Sequence, residues 1–111
     1  MEGQTLRVVV FKSEEWWVAV GLDHYITASA RKLSDIYDNM ELMVHGRAVV
    51  AHELGAPYSF ETDPMPQKDF QKYLAKFESV PADQAKKVQL QIPEGIPCPV
   101  ATLEFRVVDA V

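Results

Sequence analysis

The chain has 111 residues and a mass of 12.5 kDa, 48% of them apolar and 24% charged, which fits one soluble globular domain with its own core and not a disordered chain. A net charge of −5 argues against broad electrostatic binding to nucleic acid or to an anionic membrane. A single cysteine excludes both an intrachain disulfide and a Cys-rich zinc site.

The N-terminal stretch MEGQTLRVVVFKSEEWW starts acidic and polar, and its apolar run is short. A signal peptide needs a basic start and a longer apolar segment. No window approaches the ~20 apolar residues of a membrane span. The expectation is an intracellular, cytoplasmic protein.

Residues 5 to 12, TLRVVVFK, are β-branched and apolar, and Ser13-Glu14-Glu15 separates them from a second apolar run, Trp16 to Leu22. That pattern predicts a β-hairpin. Asp23-His24 marks a second turn, and Tyr25 to Ala30 reads as a third strand. Period-two alternation puts Leu6, Val8, Val10, Trp16, Val18, Val20 and Leu22 on one expected face, with Val9, Phe11, Trp17 and Ala19 on the other. Both faces are therefore apolar.

Residues 34 to 54 carry a helical pattern, with Ser34 as an expected N-cap and Asp35 and Asp38 in the first turns. Ile36, Met40, Met43, Val50, Ala51 and Leu54 form the expected core stripe. Gly55 is a natural stop, and Gly46 is a possible break. Residues 55 to 66 hold three prolines and read as an irregular connection. Pro66 suits a first helical turn, after which Phe70, Leu74 and Phe77 repeat at helical spacing until Pro81. Residues 87 to 92 and 101 to 108 read as two further strands, with Leu103, Phe105 and Val107 on one face of the last. The expected fold is α+β: an antiparallel three-stranded meander on one long helix, then a short helix and two C-terminal strands, all in one domain over residues 1–111.

The opening strand LRVVVF, its partner WWVAVGL, the small-residue strand ITASA, and Leu33 leading into SDIYDNM together resemble the HicB-like family of antitoxin domains. The resemblance covers about residues 5 to 55 and leaves 56 to 111 as a C-terminal extension. It implies a β-β-β-α, partial ribonuclease-H-like unit, and a role in binding a small toxin ribonuclease. Gly21-Leu22-Asp23-His24 replaces the family's usual Asp-Leu-Pro-Gly type turn, and no DNA-binding tail is evident after residue 60.

Few residues offer chemistry. His45 and His52 are seven apart, a separation of roughly 10 Å along a helix, whereas a helical metal pair wants i, i+4. They read as solvent-facing. His24 beside Asp23 could mimic an acid–base pair, yet such a turn arises readily by chance. A nuclease of the ribonuclease-H type needs several carboxylates converging on a metal. The first strand supplies none in its interior, and Asp23 and Asp35 stand apart. Cys98, between two prolines, has no neighbouring base and reads as a structural thiol. No phosphate-binding glycine loop or nucleophile elbow occurs, so no catalytic residue, metal or cofactor is expected.

Lys68, Lys72 and Lys76 form an i, i+4 basic stripe: a solvated helix face, or else a patch for an anionic partner. Arg47 falls near the centre of the expected core stripe, so either the helix bends near Gly46 and frees it, or it crosses a buried surface to a carboxylate or a carbonyl. The two apolar sheet faces, with Leu42 and Val49 off the main helical stripe, point to self-association through one or more of Phe11, Trp17, Leu42 and Val49. The expectation is a non-enzymatic protein-binding module, a homo-oligomer that takes a small toxin or a host protein. The alternatives are a phage or accessory protein that binds a nucleotide or blocks a host defence complex, and a divergent metal-dependent nuclease.

Overall fold

A computed structural model describes residues 3–55 and 65–109. Most of the expected connection at 55–66 lies outside the described residues. The described residues form five strands: β1 (Gln4–Ser13), β2 (Trp16–Gly21), β3 (Thr27–Ala30), β4 (Lys86–Gln89) and β5 (Val100–Val107). Two α-helices accompany them, α1 (Leu33–Glu53) and α2 (Gln67–Glu78), with a 3-10 turn at Ala82–Gln84. The class is α+β, as the residue pattern implies.

The sheet departs from a three-stranded meander with appended strands. All five strands join one mixed sheet in the order β3-β2-β1-β5-β4. β1, β2 and β3 pair antiparallel in succession, whereas β5 pairs parallel to β1, from Leu6 opposite Leu103 to Val10 opposite Val107. β5 thus lies inside the sheet, and β4 closes the far edge.

The hairpin register corrects the expected faces. The turn is only two residues long, so Ser13 pairs with Trp16, Val10 with Ala19 and Val8 with Gly21. Odd positions of one strand oppose even positions of the other, and opposed residues share a face. Trp17 and Ala19 therefore join Leu6, Val8 and Val10, while Val18 and Val20 join Val9 and Phe11. The tight turn puts Glu14 at φ 57°, the left-handed region uncommon for a side chain without amide or glycine character. Gly21 closes the next turn, because a Cβ there would stand 2.7 Å from the His24 carbonyl oxygen.

α1 covers the face carrying Leu6, Val8, Val10, Ala19, Leu103 and Phe105. Its buried residues are Ile36, Met40, Val44, Ala48 and Ala51. Met43, Val50 and Leu54, expected in the core, are exposed. The reason is packing: Ala28 and Ala30 of β3 present small side chains, so α1 settles close to that strand and turns its Met40–Val44 side inward. Tyr37 meets the Phe105 ring edge-on, centroids 4.9 Å apart.

α2 covers the opposite face. Phe77 is buried with Val9, Leu22 and Val108, and Phe70, Tyr73 and Leu74 pack around them. Arg106 fastens this helix to β5. Its Nη1 donates to the carbonyls of Val80 (2.7 Å) and Phe77 (3.2 Å), and its Nε and Nη2 donate to one Glu104 carboxylate oxygen at 3.0 and 2.7 Å. A cation at the C-terminal end of a helix also complements its dipole.

Candidate interaction surface

The residues named from the sequence separate clearly. Phe11 is half-buried against α2 and stacks on Tyr73, centroids 6.1 Å apart. Trp17 is half-buried at the margin of the α1-side core, with the Lys12 ammonium 5.9 Å from its ring. Val49 is half-buried, whereas Leu42 is 65% exposed. Lys68, Lys72 and Lys76 are exposed, on the side of α2 away from Phe77.

The turn carboxylate is committed to the fold. Asp23 accepts the Arg7 main-chain N–H at 2.9 Å, Nη2 at 2.7 Å, and Nε at 3.2 Å to each oxygen. Burial works against the charged carboxylate, but these hydrogen bonds outweigh it and hold Asp23 below the usual carboxylate range. His24 is buried, and its Nε2 lies 3.2 Å from the Gln4 side-chain oxygen. Cys98 donates to the Val100 carbonyl at 3.3 Å, and burial pushes its thiol pKa up, as suits a structural thiol. Among the described residues, no three His, Cys, Asp or Glu side chains could hold a metal ion together. No described helix is long and apolar enough to cross a membrane.

What the fold assembles is an apolar strip. Leu42, Met43, Val50 and Leu54 emerge along one side of α1, with exposures of 65, 50, 53 and 75%. Beside them run Tyr25 and β3, so helix and strand form a shallow groove. Arg47 reaches across its far end, where Nη1 donates to the Tyr25 carbonyl at 3.4 Å.

β3 is also an edge strand. The Gly21 N–H donates to the Ile26 carbonyl at 2.8 Å, and Gly21 stands opposite Ile26 by the strand register. Antiparallel alternation then turns the main-chain groups of Ala28 and Ala30 toward β2 and those of Thr27 and Ser29 toward the outer edge. The Asn39 side-chain amide donates to the Ser29 carbonyl at 2.9 Å. That oxygen keeps a second lone pair.

The residue pattern singles out Leu42 but misses its neighbours on this strip. It assigns Met43, Val50 and Leu54 to the core, because a long helix with apolar residues on two adjoining stripes does not announce which one faces the sheet. Angular position holds a usable signal: Ile36, Met40, Val44, Ala48 and Ala51 form a continuous stripe of their own. No family model, curated protein or solved structure matches the chain.

Proposed function

We propose that this protein acts by binding another polypeptide and not by catalysis, as a HicB-like toxin-neutralising module. The observation that carries the reading is the strip of Leu42, Met43, Val50 and Leu54 beside the outer edge of β3. Apolar side chains of this size, grouped next to outward-facing strand groups, match the way a sheet edge accepts a further chain. The engagement of both Asp23 oxygens by Arg7 also favours a binding role, because that carboxylate is tied up in positioning a turn.

The test is co-expression with the product of a short toxin-like reading frame beside the gene. The two chains should copurify and growth should recover, and Leu42→Glu should abolish both. Full rescue by Leu42→Glu overturns the assignment of the surface. Mg²⁺-dependent RNA cleavage by the purified protein, lost in Asp23→Asn, overturns the non-catalytic reading.

A further inference from the structure

We infer that the strip and the outer edge of β3 are covered by a second copy of this chain, related by a two-fold axis that passes beside Ala28. The inference rests on the polypeptide-binding reading above: the second copy covers the strip in the free protein, and a toxin would displace it. It begins with how α1 lies against β3. Asn39 reaches Ser29, Leu42 and Met43 line the groove with Ala28, and Arg47 reaches Tyr25. Helix number rises as strand number falls, so α1 runs antiparallel to β3.

The dimensions agree. From Ala28 to the start of α1 the chain advances roughly 13 Å at ~3.3 Å per residue. α1 returns that distance in about nine residues at ~1.5 Å each, which brings it level with Leu42 and Met43. An axis beside Ala28 therefore also crosses the middle of the apolar strip. Paired edges would stand ~4.8 Å apart. α1 packs chiefly on β3 and then on β2. A helix over that seam meets its symmetry mate at about 10 Å, the ordinary spacing of packed helices. Gly46 has no side chain to hold the facing surfaces apart, and a Cβ added there would meet nothing within 4 Å in the single chain.

The charges agree as well. Lys32 just precedes α1 and Glu53 ends it, and both are exposed. Their midpoint falls between Leu42 and Met43. Antiparallel copies would thus set each Lys32 against the other copy's Glu53, while Arg47 stays engaged with the Tyr25 carbonyl of its own chain. On the strand, Thr27 and Ser29 would exchange main-chain hydrogen bonds across the axis, which a two-fold interface requires to be mutual. A ten-stranded sheet would result.

Light scattering over a hundredfold dilution series of the full chain should show twice 12.5 kDa at high concentration, falling toward one chain on dilution. Leu42→Glu should give one chain throughout with an unchanged circular dichroism spectrum. Lys32→Glu and Glu53→Lys should each weaken the dimer by about fivefold, the size expected for two symmetric rim ion pairs. The combined Lys32→Glu/Glu53→Lys chain should recover wild-type dimerisation. A single-chain mass at every concentration overturns the inference, and so does a dimer indifferent to Leu42→Glu. Failure to recover in the combined variant overturns the antiparallel arrangement on which it rests. Leu42→Glu enters both tests, so Lys32→Glu and its combination with Glu53→Lys, which leave the apolar strip intact, separate failure of the dimer from failure of toxin rescue.

Discussion

Arg106 and Asp23 do comparable work at the residue scale but in different dielectric surroundings. The Arg106–Glu104 pair is 14% and 13% exposed by side chain, and Arg106 also caps carbonyls at the end of α2. Removing one member leaves the other charge poorly solvated, so Arg106→Ala should cost about 2–4 kcal/mol in urea unfolding. The paired change Arg106→Met/Glu104→Leu should recover part of that loss. Arg7–Asp23 is the more solvated pair, at 36% and 28%. Asp23→Asn should cost only about 1 kcal/mol, since water screens the pair. The Asp23 pKa is lower in the folded chain than in the unfolded one. Its contribution is therefore complete above the unfolded value of about 4 and is lost as pH falls through the folded value. Stability of the wild type minus that of Asp23→Asn should be flat at neutral pH and shrink in the acid range. A difference that grows on acidification would contradict the assignment.

At the scale of elements, the two stripes of α1 make opposite predictions. Met40 is completely buried and Leu42 is mostly exposed. Met40→Ala should cost about 2–4 kcal/mol, whereas Leu42→Ala in the monomer should stay within about 0.5 kcal/mol. Thermal melts at dilute concentration separate them. The sequence reveals that a long helix occupies this stretch, because apolar residues recur at helical spacing throughout it. It conceals which side is inward, because that choice depends on the small Ala28 and Ala30 across the interface. The hairpin tells a similar story. TLRVVVF and WWVAVGL are readable as strands, but their shared face depends on turn length. Taking Ser13, Glu14 and Glu15 all as turn hides the Ser13–Trp16 pair, and one residue of register reverses a strand. Glu14 records the strain of the shorter turn. Glu14→Gly should raise stability by about 0.5 kcal/mol, the relief at a positive φ outweighing the added chain entropy. The candidate surface was legible only in part for the same reason: Leu42 stands off any single core stripe, whereas Met43, Val50 and Leu54 become surface only once the sheet has selected the other side.

For the whole molecule, the decisive feature is the parallel pairing of β1 with β5, which no local pattern could announce. It joins Leu6 to Leu103 and places Val100, Leu103 and Phe105 in the core that α1 covers. The strands of residues 5 to 55, which the long helix covers, are thus one part of a shared sheet. Cutting the chain after Gly55 would expose the β1 edge and remove Phe105 from beside Tyr37. It would also strip α2 from Val9 and Leu22 on the other face. Those losses fall on both sides of a sheet reduced to three strands, in a fragment already short for an independent core. The fragment 1–55 should therefore show no cooperative thermal transition, while the full chain melts in one step. Supplying residues 65–111 as a separate polypeptide should restore a cooperative melt, because the missing pieces are complementary surfaces and not covalent staples. A sigmoidal melt of 1–55 alone, with native-like strand signal, would show instead that the first half is a self-sufficient unit and that β5 merely extends it.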